Sequence, residues 1–296
     1  MILIALLLMT SNACGQNTPT APPPTHPLER VAVIGASVSW GYGTHVPLQR
    51  ERYTHRELVD LGDVLEATLV DEYDLAHHQA NLLFFRAPMT SGPMLAQGAH
   101  DASPTIVIGL DYLFWYGYGH EGKDGSKHTG TESRLALLQE GLATLETFNC
   151  PIVISDFPDM SPAVGRVLRA SQVPSPETLA ALNDRLHAWA ADRDNIIIIP
   201  LSDLTARLHR NEGFDIEEIN YPAGSTRALI QADALHPTTE GDIALAQMIL
   251  RAIDAATELV DEHDYHRDID VIRARLEAIA KEQATPTPTA QPAGED

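Results

Sequence analysis

Five short apolar runs alternate with longer stretches of helical periodicity, and that alternation leaves the chain very few folds. The runs are 31–34, 81–85, 105–108, 151–154 and 195–199, each rich in aliphatic or aromatic residues and bounded by Gly, Pro, Asp or Asn. Continuous apolarity, rather than apolar-polar alternation, marks strands buried on both faces. Amphipathic helix patterns fall at 58–70, 132–148, 176–192 and 239–260. A strand-helix-strand order of this kind requires right-handed crossovers, a parallel sheet and helices on both faces. The expectation is an α/β chain: a three-layer α/β/α sandwich around a parallel five-stranded sheet. A last pattern, 264–281, places Ile269, Ile272, Leu276 and Ile279 at helical spacing and is expected to pack on the outside of the domain.

Ligands of such sheets collect beyond the carboxyl ends of the strands. Ser37, Gly92, Asp111 and the segment Asp233-Ala234-Leu235-His236 all follow strand patterns or lie in late loops, so they are expected along one edge. A serine hydroxyl becomes a nucleophile when an imidazole takes its proton, and the imidazole works best when a carboxylate fixes its tautomer. Asp233 and His236, three residues apart, can share one loop; Ser37 has to arrive from another strand. Taken singly, each has a plainer reading: Ser37 as a helix N-cap in a strand-to-helix turn, His236 as a capping or core histidine. The segment from Gly35 to Gly43 fits neither G-x-G-x-x-G nor the lysine-bearing phosphate loop. His77, His78, His120 and His128 have no ligand spacing of a known type, so no metal is expected and these rings are read as solvent-facing.

Val31-Ala-Val-Ile-Gly-Ala-Ser37 at one end and Asp233-x-x-His236-Pro237 with Gly241 at the other resemble the first and last blocks of the SGNH or GDSL-like hydrolases. The resemblance spans roughly residues 30 to 255 and has Ala36 where the family usually has Asp. It implies a flavodoxin-like sandwich, with Ser37 as nucleophile, His236 as general base and then acid, and Asp233 orienting His236. It also implies an oxyanion site made by the Ser37 amide, a glycine amide for which Gly92 is the best candidate, and an Asn of the third block. In that block, Gly109-Leu110-Asp111-Tyr112, the Asn is absent. An amide side chain donates to an oxyanion, whereas an ionised carboxylate only accepts. Asp111 therefore is protonated and donates, turns away to brace a neighbouring loop, or leaves an enzyme slow on ordinary esters; bracing is the expectation. Ser37 is also expected to open a helix whose dipole favours negative charge. The aromatic run 114–118 follows the third strand, as a substrate wall or as packing over the sheet edge.

The functional expectation is an exported serine ester hydrolase, of acyl or acetyl esterase type, that needs no cofactor. Its partners would be a small-molecule, glycan or lipid ester. A non-catalytic envelope lipoprotein of the same fold, binding a glycan or lipid, and an O-acyltransferase stay open. The formal net charge of −21, from 20 Lys and Arg against 41 Asp and Glu, excludes a nucleic-acid binder, which needs a basic face.

Residues 1–13 read as a signal peptide, too short to span a bilayer, ending in Ser11-Asn12-Ala13-Cys14-Gly15. This resembles a bacterial lipobox with Cys14 as the acylated residue; cleavage after Ala13 without lipidation is the other reading, and both place the protein outside the cytoplasm. Residues 14–29 form a Pro/Thr-rich tether, 30–260 the hydrolase domain, 261–283 the terminal helix and 284–296 a disordered tail. With Cys14 acylated, Cys150 is the remaining thiol and is expected to be buried and inert.

Overall fold

The computed structural model describes residues 26–49, 54–70, 74–119, 128–257 and 264–285. The signal segment 1–13, Cys14, most of the tether and nearly all of the tail lie outside the described residues, as does His120. Among the described residues no helix is long and apolar enough to cross a membrane.

In chain order the elements are β1 (Arg30–Gly35), β2 (His45–Gln49), β3 (Thr54–Leu58), α1 (Leu61–Thr68), β4 (Asp74–Ala80), α2 (Pro88–Asp101), β5 (Ile106–Gly109), α3 (Phe114–Tyr118), α4 (Thr131–Leu145), β6 (Ile152–Ser155), α5 (Pro176–Ala191), β7 (Ile196–Ile199), α6 (Leu201–Arg210), β8 (Phe214–Ile216), β9 (Ile219–Tyr221), α7 (Thr239–Thr257) and α8 (Ile269–Gln283). Five strands form one parallel sheet in the order β4-β1-β5-β6-β7. This is the expected three-layer sandwich with the flavodoxin-like strand order. The period of two along β1 divides the core: Val31 and Val33 face a cluster with α1, α7 and α8, and Ala32 and Ile34 face one with α2, α4 and α5. All four side chains are fully buried. Burying each larger one contributes about 1.5–3 kcal/mol.

One strand expectation is corrected. The second sheet strand is Asp74–Ala80, and 81–85 is a turn leading into a short 3-10 segment, Phe84–Arg86. β4 is an edge strand paired only with β1 and half-exposed, so it tolerates His77, His78 and Gln79 where a central strand would not. The apolar run 82–85 instead packs Phe84 into the core. Three helices, α2, α3 and α6, and two hairpins, β2-β3 and β8-β9, were not expected from the sequence. α2 carries Pro88, Pro93, Gly92 and Gly98, which hide its periodicity.

α8 starts later than the 264–281 pattern suggested, at an Asp268 cap, and buries Ile272, Leu276 and Ala280 against the α1 and α7 side of the core. Arg275 donates to the last carbonyls around α1, to Ala67 at 3.0 Å and Leu69 at 2.8 Å. The helix is thus an integral part of that layer. Cys150 is half-buried, and burial pushes its thiol up to about 11, which keeps it unreactive.

Candidate active site

Ser37 follows β1 and Asp111 follows β5, on either side of the point where the strand order reverses. That is where parallel sheets of this type place their ligands. The segment after Ser37 does not open a helix. It is a string of turns closed by Trp40 N–H to the Ala36 carbonyl (3.0 Å) and Tyr42 N–H to the Ser37 carbonyl (2.9 Å). Gly41 and Gly43 sit at φ of +75° and +76°, which breaks any helix there. The expected helix dipole at Ser37 is therefore absent.

The carboxylate of Asp111 holds this turn. Its Oδ1 accepts from Ala36 N–H at 2.9 Å and from the Ser39 hydroxyl at 2.6 Å; its Oδ2 accepts from Val38 N–H at 2.8 Å and Ser39 N–H at 3.4 Å. The expectation that Asp111 braces a loop is met, and its place in an oxyanion site is corrected: both oxygens are committed as acceptors. The Ser37 amide lies between the braced ones and, among the described residues, has no acceptor. His78 adds a second clamp and is not solvent-facing. Its ring bonds the Ser39 carbonyl at 3.1 Å and the Asp60 carboxylate at 3.0 Å. Burial depresses its basicity, but the hydrogen bond and charge of Asp60 outweigh that and raise its pKa.

The other loop is built locally. Asp233 Oδ1 accepts from the Leu235 and His236 amides at 2.9 and 3.0 Å, a turn that puts Ala234 at φ +63°. Gln231 Nε2 then donates to the Tyr42 and Pro237 carbonyls at 2.7 and 2.6 Å, tying the acid-base loop to the serine loop. With both loops fixed, His236 Nδ1 lies 2.7 Å from Asp233 Oδ2 and His236 Nε2 lies 2.9 Å from Ser37 Oγ. Because a carboxylate only accepts, the proton sits on Nδ1, and Nε2 faces the serine hydroxyl as acceptor. Burial alone would raise Asp233, yet the His236 ring and the two amides together bring it below the usual carboxylate range. Tyr42 packs on the imidazole with ring centroids 4.3 Å apart.

Gly92 is not brought to this site. It is the fifth residue of α2, where a helical N–H is spent on the carbonyl four residues back, and it is buried under the Tyr112 and Tyr116 hydroxyls. The backbone that reaches the serine from β4 is the turn after it: Asn81 N–H donates to the Gly35 carbonyl at 3.0 Å, and Asn81 Oδ1 accepts from Leu83 N–H at 2.9 Å. Between them Leu82 lines the cavity beside Ser37, and its N–H has no acceptor among the described residues. Displacing the second strand by several residues hid this amide from sequence reasoning.

Two cavities open from Ser37. One is narrow and apolar, walled by Val38, Leu110, Phe114, Met160, Leu204 and Leu245 among others. The second is wider and more polar, and is lined by His236 together with Tyr42, Leu82, Phe85 and Trp115. The aromatic run 114–118 thus does both things expected of it: Phe114 and Trp115 are walls, whereas Tyr116 and Tyr118 are buried packing.

Behind the site, Asp242 of α7 is fully buried. Its Oδ2 accepts from the Thr44 hydroxyl at 2.6 Å, and its Oδ1 has no partner among the described residues. Burial pushes its pKa from 3.8 to about 7, with Thr44 opposing and Asp111 and Asp60 adding to the rise. A carboxyl raised on folding binds a proton that the unfolded chain has lost, so its contribution to stability falls with pH between about 4 and 7 and reaches its full penalty above that. Asp242→Asn keeps an acceptor for Thr44 and removes the titration. The variant's advantage over wild type in thermal unfolding is expected to grow from about pH 4.5 to about pH 8, by on the order of 3 kcal/mol. A difference independent of pH would contradict this.

No family model matches the chain, and no curated protein matches it in sequence. Among solved structures it is similar to a gut microbial diltiazem-metabolizing enzyme, at 12% identity and a TM-score of 0.46, over 78% of this chain and 48% of that one. The chain spans about half the length of that enzyme. It is also similar to a Bacteroides fragilis protein assigned as an acylhydrolase, at 15% identity and a TM-score of 0.46, over 77% and 87%. A family 3 carbohydrate esterase of Clostridium thermocellum matches at 12% identity and a TM-score of 0.41, over 78% and 98%. Acylhydrolase and carbohydrate esterase structures are thus among its neighbours.

Proposed function

We propose that this chain is a serine ester hydrolase. The observation that carries the reading is the continuous line Asp233 Oδ2, His236 Nδ1, His236 Nε2, Ser37 Oγ, with links of 2.7 and 2.9 Å. Ser37 Oγ attacks the ester carbonyl while its proton passes to His236 Nε2, and Asp233 steadies the imidazolium. The oxyanion is met by the Ser37 and Leu82 amides, which have no acceptor among the described residues and whose residues line the same cavity. Collapse of the adduct breaks the bond to the alcohol oxygen, which takes the proton from His236. Water then repeats the cycle on the acyl-serine, returning Ser37 and releasing the acid.

The Asn-to-Asp change in the third block is the feature that would favour a non-catalytic binder of the same fold. The brace at Asp111 gives the carboxylate another task, so the change no longer argues against catalysis. A fluorophosphonate probe with mass-spectrometric mapping tests the reading directly: the adduct is expected on Ser37, alongside turnover of p-nitrophenyl esters. A folded protein that neither labels nor turns over any ester would leave the binder.

Export through residues 1–13 and acylation of Cys14 complete the proposal, with the Pro/Thr segment holding the domain off the membrane surface. The support is the lipobox-like Ser11-Asn12-Ala13-Cys14. A fatty-acid analogue fed to expressing cells is expected to label the wild type and not Cys14→Ser, which would instead partition to the soluble fraction. Equal labelling of the two would rule out Cys14 as the acyl site.

A further inference from the structure

The wider cavity carries an unusual charge for this chain. Acidic residues outnumber basic ones 41 to 20 overall, yet the described residues lining this cavity include Arg86 and Arg169 and no carboxylate. Elsewhere Arg193, Arg207, Arg210 and Arg251 pair with Asp or Glu at the surface, and Arg134, Arg227 and Arg275 donate to backbone carbonyls. Arg86 and Arg169 have no acidic partner among the described residues. Both stand on built turns. Arg86 ends the 3-10 segment after the Leu82 turn, its N–H bonded to the Leu83 carbonyl at 2.9 Å and its guanidinium 5.7 Å from the Phe85 ring centroid. Arg169 is fixed at its backbone by Gln172, whose Oε1 accepts at 2.8 Å and whose N–H donates back at 2.9 Å; the Gln172 side chain is itself buried.

The position of His236 says which half of a substrate meets these cations. The leaving alcohol must lie within reach of Nε2, and His236 lines the wide cavity but not the narrow one. The alcohol half therefore occupies the wide cavity and the acyl half the narrow apolar one. We infer that the substrates are esters of an apolar acyl group with an alcohol that carries a negative charge, a carboxylate or a phosphate, held by Arg86 and Arg169. This rests on the hydrolase reading for its chemistry, but the anion site is argued from the cavity's own lining residues and has its own test. A rigid, forked guanidinium suits both anions.

Matched butyrate esters separate the two claims. For the carboxylate arm, 4-nitrophenyl butyrate is compared with the ester of 3-carboxy-4-nitrophenol; for the phosphate arm, butyrylglycerol is compared with butyrylglycerol 3-phosphate. Wild type is expected to favour the charged member in kcat/KM by about tenfold in at least one arm, and Arg86→Gln/Arg169→Gln to bring that ratio near 1. Arg86→Lys/Arg169→Lys is expected to keep most of the preference. The arm that shows the effect identifies the anion. A ratio equal in wild type and the double Gln variant, with turnover intact, would overturn the anion site and leave the hydrolase standing. If no ester is turned over, calorimetry with glycerol 3-phosphate and with benzoate decides: binding lost in the double Gln variant retains the anion site without the hydrolase, and no binding ends both.

Discussion

Ser37→Ala is expected to abolish fluorophosphonate labelling and to lower kcat on p-nitrophenyl esters by about 10⁴- to 10⁶-fold, with thermal stability within about 1 kcal/mol of wild type. The size of the loss follows from how the three side chains act as a unit. His236 and Asp233 have nothing to activate once the hydroxyl is gone, and the residual rate is what binding and the two free amides supply to attack by water. The small stability effect follows from the partners: among the described residues Ser37 Oγ bonds only the imidazole, at 2.9 Å, and the side chain is half-exposed. His236→Ala is expected to fall in the same range, and the double variant to add little further. Additive losses in the double variant would mean that the two residues do not share a step.

Asp111→Asn is expected to lower both stability and activity, by about 2–4 kcal/mol and at least tenfold. The two carboxylate oxygens accept from three backbone amides and one hydroxyl. An Asn side chain offers one acceptor oxygen, so either its NH2 group meets Val38 and Ser39 N–H or it meets Ala36 N–H. Each choice leaves buried donors facing a donor, which costs the desolvation of those groups. The turn then relaxes, and the Ser37 amide leaves the direction set by its braced neighbours. Calorimetric unfolding together with kcat on p-nitrophenyl butyrate checks this. An increase in esterase rate of tenfold in Asp111→Asn would show that an amide donor is what this position lacks, and would remove the brace from the account. Gly35→Ala tests the same contact from the other side, because a Cβ there collides with Asp111 Oδ1 and the Ser39 hydroxyl.

The fold was legible where burial on both faces forces continuous apolarity. β1, β5 and β6 are central, and β7, although the other edge strand, is packed on both faces, with Ile197 and Ile199 in one core cluster and Ile196 and Ile198 against the other; each falls within a residue or two of its run. β4 was not legible, because an edge strand does not need apolar residues and the run that mimicked it belongs to the next turn. That single displacement accounts for the misassigned Gly92, since the amide was sought too far along the chain. Asp233 and His236 were legible because their spacing of three is itself a local structure, and Ser37 because it ends the first run. Leu82, Arg86 and Arg169 had no signal: a backbone amide has no side chain to announce it, and an unpaired arginine looks like a paired one until the acids around it are placed. The role of Asp111 was legible in chemistry, since a carboxylate is a poor oxyanion donor, but its partners 72 to 75 residues away became visible only once the strands were paired.

The serine is aimed by groups that lie far from it in the chain: a carboxylate from the neighbouring strand and a glutamine near the end of the domain that holds the Tyr42 carbonyl at 2.7 Å. Neither restraint exists until the centre of the sheet and the last crossover are in place. Covalent tagging by a fluorophosphonate is therefore a meter of completed assembly. In a denaturant titration its loss should coincide with the loss of the far-ultraviolet signal, and during refolding it should return last.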